Sequence, residues 1–463
     1  MTQESSSKPL RGRSGGGPSV SRRDLLKLGG AAAAGVGLAG FPALASARST
    51  RPDQTTTIKF QGWDYQPTLV QQNLNNFEKL NPDIKVDYTS VVSAQYDPKI
   101  IAEFTGNTAP DAMYVYDTSM AGWVDAGYLQ PLDGMPGLDK AYSMMYPANQ
   151  KAMTYKGKRW GLPYYTDCTS MIYNADILQQ VGISAPPKTW DELEQQAVKI
   201  KQAGILKYPI GASLALQTGG SLYTNAMAVG SGVELFDKNY NPVFQKNGKL
   251  EQLISWLHHA FNVTKVLDPA ALTLVSAAYG QAFQTGNYYA FDASTSRYSI
   301  WTYNDPTKSP KIAGKMKLAV PPSLDGKPHG GILTTRMYGL SKTTKHKKQA
   351  YKLMYYLGGL DNTGKPYTAS FWFQQEGLGF AYKELASQAA IKADIQKYTS
   401  SLAVYQQLSE LASPLKVTGA PWYAQWVADG QRTLQQAIQG SISPKAAVTA
   451  LAGDAQKLKK QYA

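Results

Sequence analysis

Residues 56–88 read TTIKFQGWDYQPTLVQQNLNNFEKLNPDIKVDY, and this stretch contains two kinds of hydrophobic spacing. Apolar and polar residues alternate over positions 57–60 and again over 84–88, which is the period of a β-strand. Between them, after Pro67, apolar residues recur every three or four positions, which is the period of a helix. The segment Asn81–Asp83 ends that helix. The stretch therefore predicts a strand, a helix and a second strand in succession.

The same pattern continues downstream. Apolar positions around Ile100 predict a second helix, and residues 112–116, AMYVY, predict a third strand that ends at Asp117. Strands that alternate with helices in this way are typical of an α/β layer with mostly parallel strands. Ligands of such sheets bind beyond the carboxyl ends of the strands, where Trp63, Asp64 and Asp117 fall. The sequence therefore predicts an α/β fold with a site at these strand ends.

Composition narrows the class of protein. The 463 residues predict two or three domains, and 43% hydrophobic with 17% charged residues is a globular composition. The net charge of +14 does not come from a long run of basic residues. The densest group of basic residues, 342–348, is interpreted as a solvated face rather than a nucleic-acid site. The chain has one cysteine, Cys168, and no HExxH motif, so we expect no disulfide, metal or cofactor.

The first 47 residues read as an export signal. Residues 21–27, SRRDLLK, precede an uncharged Ala- and Gly-rich stretch that ends in small residues near Ala47. This pattern predicts a twin-arginine-type signal peptide over residues 1–47, followed by a polar linker over 48–55. We therefore expect an exported protein in the periplasm or on the extracellular face of the envelope. An uncleaved membrane anchor is the competing interpretation, because the stretch has about the length of a membrane span.

Several segments, in this order along the chain, resemble the extracellular solute-binding proteins of bacterial ABC importers. The similarity is greatest to the carbohydrate-binding group that includes maltose-binding protein. It is carried by FEKLNPDIKV (77–86), KRWGLPYY (158–165), SMIYN (170–174), PKTWDEL (187–193) and AFQTG (282–286). Each motif alone is weak, whereas their order and spacing are specific. The tyrosines at positions 164 and 165 are bulkier than is usual for the group.

The resemblance implies two α/β lobes joined by crossing hinge segments near residues 167, 292 and 355, with a ligand cleft between them. It divides the chain into an N-terminal lobe of residues 56–167 plus 292–355 and a C-terminal lobe of 168–291 plus 356–463. Such receptors close on their ligand by hinge motion and dock on the membrane permease subunits of the importer. The resemblance further implies a protein without enzymatic activity, and we expect a monomer.

A sugar offers apolar ring faces and many hydroxyl groups, so it is bound by aromatic side chains together with carboxylates. Glycine pairs also allow the backbone to approach a ligand closely. The predicted ligand-binding residues are Trp63, Asp64, Tyr65, Asp117, Tyr164, Tyr165, Asp167, Asp292, Gly330, Gly331 and Trp422. For the tryptophans, packing inside one lobe is the alternative role, and for the acids it is helix capping or a turn.

Other ligands and one other activity stay open at this stage. The same fold could bind a polyol, a glycerol phosphate compound or a polyamine instead of a carbohydrate. A phosphate would require Arg or Lys in the cleft, for which Arg297 and Arg336 are available. Paired carboxylates and aromatics also build the active sites of secreted glycoside hydrolases, but no specific carboxylate pair stands out in the sequence.

Overall fold

The structure, a computed structural model, describes residues 55–216, 223–274 and 276–462, except for the side chains of residues 276, 277, 279 and 291–295. The predicted signal peptide, residues 1–47, lies outside the described residues, as does nearly all of the linker. Within the described residues the strands are β1 (Thr56–Trp63), β2 (Ile84–Val91), β3 (Ala112–Tyr116), β4 (Thr154–Tyr155), β5 (Lys158–Arg159), β6 (Gly161–Asn174), β7 (Ile210–Gly211), β8 (Ala290–Ser296), β9 (Met316–Ala319) and β10 (Leu333–Leu340).

Helices alternate with these strands and then dominate the last third of the chain. The α-helices are α1 (Pro67–Leu80), α2 (Tyr96–Thr105), α3 (Asp117–Asp125), α4 (Leu138–Ser143), α5 (Pro147–Ala152), α6 (Ala175–Gln180), α7 (Trp190–Gln202), α8 (Tyr223–Gly230), α9 (Lys249–Asn262), α10 (Ser276–Gln284), α11 (Ser299–Asn304), α12 (Lys347–Gly358), α13 (Tyr367–Glu376), α14 (Ala389–Thr399), α15 (Leu402–Leu411), α16 (Tyr423–Ile438) and α17 (Pro444–Gln461). Of the helices in the described ranges, none has the length and apolar character needed to span a bilayer.

Local sequence signals account for where several elements begin. Pro67 opens α1, because a proline at the first helical position gives up no hydrogen bond. Thr189 caps α7 by accepting a hydrogen bond from the backbone N–H of Glu192 at 3.0 Å, and the Glu192 carboxylate accepts one from the N–H of Lys188 at 2.7 Å. The predicted succession of β1, α1, β2, α2 and β3 is confirmed.

The long strand β6 belongs to two halves of one sheet. The strand order is β2-β1-β3-β10-β6-β8-β7, and β9 pairs with β6 outside this path. Residues Gly161–Cys168 of β6 pair with β10, whereas Thr169–Asn174 pair with β8 and β9. β1 lies parallel to β2 and β3, so the carboxyl ends of these three strands share one edge of the sheet.

Each half of the sheet has its own hydrophobic core. The N-terminal lobe comprises β1–β3, β10 and the first half of β6, packed against α1–α5 and α12. The C-terminal lobe comprises β7–β9 and the second half of β6, packed against α6–α11 and α14–α17. Helix α13 contributes Trp372 to the first lobe and Phe373 to the second.

This packing divides the chain differently from the sequence-based lobes. Residues Met316–Ala319 pair with the second half of β6, so they lie in the C-terminal lobe, although 292–355 was assigned to the N-terminal one. Conversely, Tyr382 and Leu385 lie in the N-terminal core, although 356–463 was assigned to the C-terminal lobe. Which strands become neighbours depends on hydrogen bonds between residues that are far apart in the sequence, and local sequence patterns do not encode those contacts.

A buried ion pair lies where β6 passes from one lobe to the other. The Arg297 Nε atom donates a hydrogen bond to Asp167 Oδ1 at 2.9 Å, and the two side chains are only 7% and 1% exposed. Asp167 also accepts hydrogen bonds from the backbone N–H groups of Cys168 and Tyr298, at 2.8 and 2.7 Å. Arg297 Nη1 donates to Ser409 Oγ of α15 at 2.6 Å. The pair therefore joins β6, the end of β8 and α15.

Replacing Arg297 by methionine would leave the Asp167 carboxylate buried without its counter-ion. We expect Arg297→Met to lower the free energy of unfolding by about 3–5 kcal/mol, measured by denaturant titration. The control is Lys416→Met, since the Lys416–Glu234 pair has side chains 59% and 55% exposed and should contribute no more than about 1 kcal/mol. Equal losses in the two variants would show that the buried pair does not stabilise the crossing.

Candidate ligand-binding site

A cavity of about 570 Å³ lies between the two lobes. This volume falls within the range of about 300–1,000 Å³ that is usual for small-molecule sites. We call it the interlobe cavity. Its walls include Asp97, Ile101, Ser119, Gly122, Trp123 and Tyr128 of the N-terminal lobe, and Pro421, Ala424, Gln425, Ala428 and Tyr462 of the C-terminal lobe. Because both lobes contribute, a ligand here would contact both.

One carboxylate in the cavity wall lacks a full set of hydrogen bonds. Asp97, in the first turn of α2, is 8% exposed, and its Oδ2 atom accepts a hydrogen bond from Ser119 Oγ at 2.7 Å. Its Oδ1 atom is buried and has no hydrogen-bond partner within the described residues. Burial raises the pKa of Asp97 to about 6, against the opposing effects of the Ser119 hydrogen bond and the Arg336 charge. Because Oδ1 is itself covered by protein, a ligand hydroxyl would reach it only after a rearrangement of the surrounding side chains, and its hydrogen bond would then offset the unfavourable burial.

The remaining walls of the cavity are mostly apolar. Trp123 is 5% exposed and lines the cavity from α3. Tyr128 lines the same side and stacks on Phe104, with ring centroids 4.4 Å apart and planes inclined by 7°. The opposite wall presents the small residues Ala424 and Ala428. Aromatic rings facing small side chains leave a slot with apolar surfaces, which suits the C–H faces of a sugar ring or the carbon chain of a polyol.

A group of partly exposed aromatic residues lies beside the crossing strands. We call this group, together with the adjacent Arg336, the tyrosine floor; its aromatic members are Tyr65, Tyr116, Tyr165 and Tyr298. Tyr298 meets Tyr65 and Tyr165 edge to face, at centroid distances of 5.9 and 5.8 Å, and the Arg336 guanidinium lies 4.7 Å from the centre of the Tyr116 ring. Burial raises the pKa of Tyr65, Tyr165 and Tyr298, so these hydroxyls stay protonated and can donate hydrogen bonds.

The tyrosine floor adjoins the interlobe cavity. Tyr116 directly precedes α3, whose first turn carries Ser119 in the cavity wall. Burial raises the pKa of Tyr116, and the nearby Asp97 carboxylate raises it further. Arg336 is held in place by an ion pair with Asp117, which also accepts a hydrogen bond from the backbone N–H of Thr335 at 2.8 Å. Floor and cavity are therefore neighbouring regions, although no floor residue lines the cavity, and we treat the two together as the candidate site.

Two of the predicted residues lie in this floor, and a third lies next to it. Tyr65 and Tyr165 are partly exposed floor residues, and the Tyr65 hydroxyl lies 3.4 Å from the Glu376 carboxylate. Asp64 is exposed, but its Oδ1 atom accepts hydrogen bonds from the N–H and hydroxyl groups of Ser93, at 3.0 and 2.6 Å. It therefore also has the turn role that the sequence left open.

Three predicted aromatics are packed inside a lobe. Trp63 is 4% exposed and stacks on Tyr116, with centroids 4.5 Å apart. Tyr164 is 2% exposed and stacks on Tyr114 at 4.5 Å, in the second layer behind the floor. Trp422 is 2% exposed in the C-terminal core. Because an aromatic side chain can face either a core or a cleft, hydrophobic spacing alone could not distinguish these two roles.

The remaining predicted residues have structural contacts. Asp117 and Asp167 form the ion pairs with Arg336 and Arg297 that are described above. A Cβ atom on Gly330, where φ is +89°, would lie 2.4 Å from the Leu411 carbonyl oxygen, and one on Gly331 would lie 2.0 Å from that of Thr169. Both glycines thus allow one backbone to approach another. The side chain of Asp292 lies outside the described residues.

Sequence reasoning missed Asp97 and Trp123 in the cavity, and Tyr116 and Tyr298 in the floor. A signal for Asp97 was present, because it shares the helical spacing of the apolar residues Ile100, Ile101 and Phe104. An acid on the apolar side of a helix is costly unless it has a partner or a function. Tyr298 gave no such signal, because its position beside β6 depends on the pairing of β8.

Residues 63–364, more than half of the chain, match the sequence model of a family described as bacterial extracellular solute-binding proteins. The chain belongs to this family. Its fold is the two-lobe fold of maltose-bound T. maritima MalE3, with a TM-score of 0.74 at 19% identity over 87% of this chain and 100% of that one. The fold predicted from the sequence is confirmed.

Curated relatives of this solute-binding protein are similar over shorter stretches. Binding proteins of Brucella abortus are 30% identical over 135 residues, which is 29% of this chain and 33% of theirs. A mannitol-binding protein of Pseudomonas aeruginosa is 24% identical over 178 residues, which is 36% of this chain and 39% of that protein. The chain thus covers about a third of the length of the first curated relatives that it matches.

The raised pKa of Asp97 makes a specific prediction about stability. An acid whose pKa is about 6 when folded and about 4 when unfolded destabilises the protein as pH rises through that interval, because ionisation is easier in the unfolded chain. We expect Asp97→Asn to raise the free energy of unfolding, relative to the wild type, by about 2 kcal/mol more at pH 7.5 than at pH 4.

Denaturant titrations at the two pH values measure this difference, and the other carboxylates cancel because both proteins contain them. The control is Asp429→Asn, which removes an exposed carboxylate on α16 and leaves Asp97 in place. A stability difference between Asp97→Asn and the wild type that is the same at both pH values would contradict the pKa assignment.

Proposed function

We propose that this solute-binding protein captures a carbohydrate between its lobes and delivers it to the permease subunits of an ABC importer. The observation that carries the proposal is the interlobe cavity, which combines aromatic walls with a buried, incompletely bonded carboxylate. Aromatic rings pack against sugar C–H faces, and a carboxylate accepts hydrogen bonds from sugar hydroxyls. The protein would bind its ligand without chemical change.

The contacts that we propose follow from the two parts of the site. Asp97, Trp123 and Tyr128 would hold the ring in the cavity, while Tyr65 and Tyr165 would donate hydrogen bonds from the floor. Three buried aromatics would not contact the ligand themselves but would fix the orientation of the residues that do: Trp63, Tyr164 and Trp422. We further propose that the protein acts as an exported monomer, which fits the family's extracellular setting.

Polyols are the strongest alternative, because an extended chain of hydroxyls fits the same slot and a mannitol-binding protein is among the relatives. A phosphorylated ligand is disfavoured, since among the described residues that line the cavity none is Lys, Arg or His, and Arg336 of the floor is already paired with Asp117. A polyamine would use the two acids of the lining, Asp97 and Asp125, but the second is already paired with Lys156 at 2.6 Å. A glycoside hydrolase is also disfavoured, because it would need two carboxyl groups facing one bond, and Asp125 is already paired with Lys156.

Ligand screening of the full-length chain tests the class of ligand. We expect maltose-type oligosaccharides or mannitol to raise the melting temperature, because a ligand at one hundred times its Kd stabilises the native state by about 2.7 kcal/mol. Glycerol 3-phosphate and spermidine serve as the anionic and cationic comparisons. A shift with spermidine alone would contradict the carbohydrate proposal, and release of cleaved sugars would show an enzyme instead.

Filling the cavity from one wall tests where the ligand binds. Ala424→Leu adds bulk at the start of α16 inside the cavity, and we expect it to lower affinity for the screened ligand about tenfold or more, measured by calorimetry. The matched control is Ala446→Leu, at an exposed position near the start of α17, which should bind as the wild type does. Unchanged affinity in Ala424→Leu would place the ligand elsewhere.

A further inference from the structure

One close approach between the lobes at the cavity is made at a glycine. Gly122 lies inside α3 of the N-terminal lobe, and Pro421 directly precedes Trp422 and α16 of the C-terminal lobe. A Cβ atom at position 122 would lie 2.8 Å from the Pro421 carbonyl oxygen. Both residues line the interlobe cavity, so this contact helps to set the distance between its walls.

The backbone at position 122 does not itself require glycine. The described glycines with positive φ do not include Gly122, so an alanine there would adopt the same helical conformation. A glycine inside a helix is normally a disadvantage relative to alanine, because its unfolded backbone has more freedom to lose. The local preference of α3 therefore favours alanine, and the contact with the opposite lobe is what opposes it.

The opposing group is part of the backbone and cannot move aside as a flexible side chain would. The Pro421 carbonyl lies between a short 3-10 helix, Lys416–Gly419, and the start of α16. Val417, Ala420 and Trp422 of this region are all buried in the C-terminal core. A methyl group at position 122 would therefore push against the C-terminal lobe as a whole.

We propose that Gly122 is the residue that permits the two lobes to close around the cavity, and that any side chain there acts as a wedge. This inference rests on the proposed capture of a ligand between the lobes. It assigns Gly122 a positioning role: the glycine does not bind the ligand, but its missing side chain lets Asp97 and Trp123 on one wall and Ala424 on the other reach the ligand together.

The test is Gly122→Ala compared with Gly453→Ala. Gly453 is also a helical glycine, in α17, but a Cβ atom there would meet nothing within 4 Å. Both substitutions improve helix propensity equally, and only one should separate the lobes. We expect neither variant to have a lower melting temperature than the wild type. Affinity for the screened ligand should fall at least tenfold in Gly122→Ala and should stay unchanged in Gly453→Ala.

A distance measurement makes the outcome independent of the ligand's identity. Cysteines introduced at Thr105 and Asp429, exposed positions on α2 and α16, would each carry a spin label, and the distance between the labels reports the separation of the lobes. The native Cys168 is buried, so we expect it to remain unlabelled. We expect a longer distance in Gly122→Ala than in Gly453→Ala, with and without ligand. Equal distances in the two variants would overturn the proposal, and so would wild-type affinity in Gly122→Ala. If no carbohydrate or polyol binds the wild type, only the proposed function is overturned.

Discussion

Strand β6 is hydrogen-bonded to both lobes, and the relative position of the lobes depends on it. Its first half belongs to the sheet with β10, and its second half to the sheet with β8 and β9. At the point of passage, the carboxylate of Asp167 is fully desolvated, and Arg297 together with two backbone N–H groups satisfies it. A charge buried in this way tolerates little displacement, because losing any one partner would leave it uncompensated. We therefore expect the crossing to behave as a fixed pivot, with bending on either side of it.

The candidate site follows from this pivot. The tyrosine floor lies directly beside the crossing, where Tyr165 of β6 meets Tyr298, the residue whose N–H binds Asp167. The interlobe cavity lies farther out, between α3 and α16. Floor residues are thus set by the same contacts that fix the crossing, whereas the cavity walls belong to different lobes and can separate. A solute-binding protein needs both, because a fixed platform orients the ligand and a movable wall admits it.

Much of the fold was predictable, because it is encoded locally. The alternation in 57–60 and 84–88, the proline that opens α1 and the Thr189 cap each act within a few residues. The site was harder to predict, because the contacts that form it join residues that are far apart in the sequence. Tyr65 and Tyr165 were predicted because they follow or occupy recognisable strands, and they lie in the floor, but Trp63 shows the same pattern and packs on Tyr116 inside the lobe. Gly330 and Gly331 were predicted to let the backbone approach a ligand, whereas the groups that approach them in the structure are the backbones of Leu411 and Thr169. Long-range pairing decides these outcomes.

Asp97 and Gly122 share a property that is more informative than either residue alone. Each contradicts the preference of its own helix, since a buried, half-bonded carboxylate and a helical glycine both reduce stability. Their helices, α2 and α3, bring both to the wall of the same cavity. Buried unbonded carboxylates and helical glycines also occur elsewhere in the described residues, so what distinguishes these two is that they lie in one cavity wall. Of the two, the acid offers a hydrogen-bond acceptor to a ligand, and the glycine lets the opposite wall come near enough to cover it.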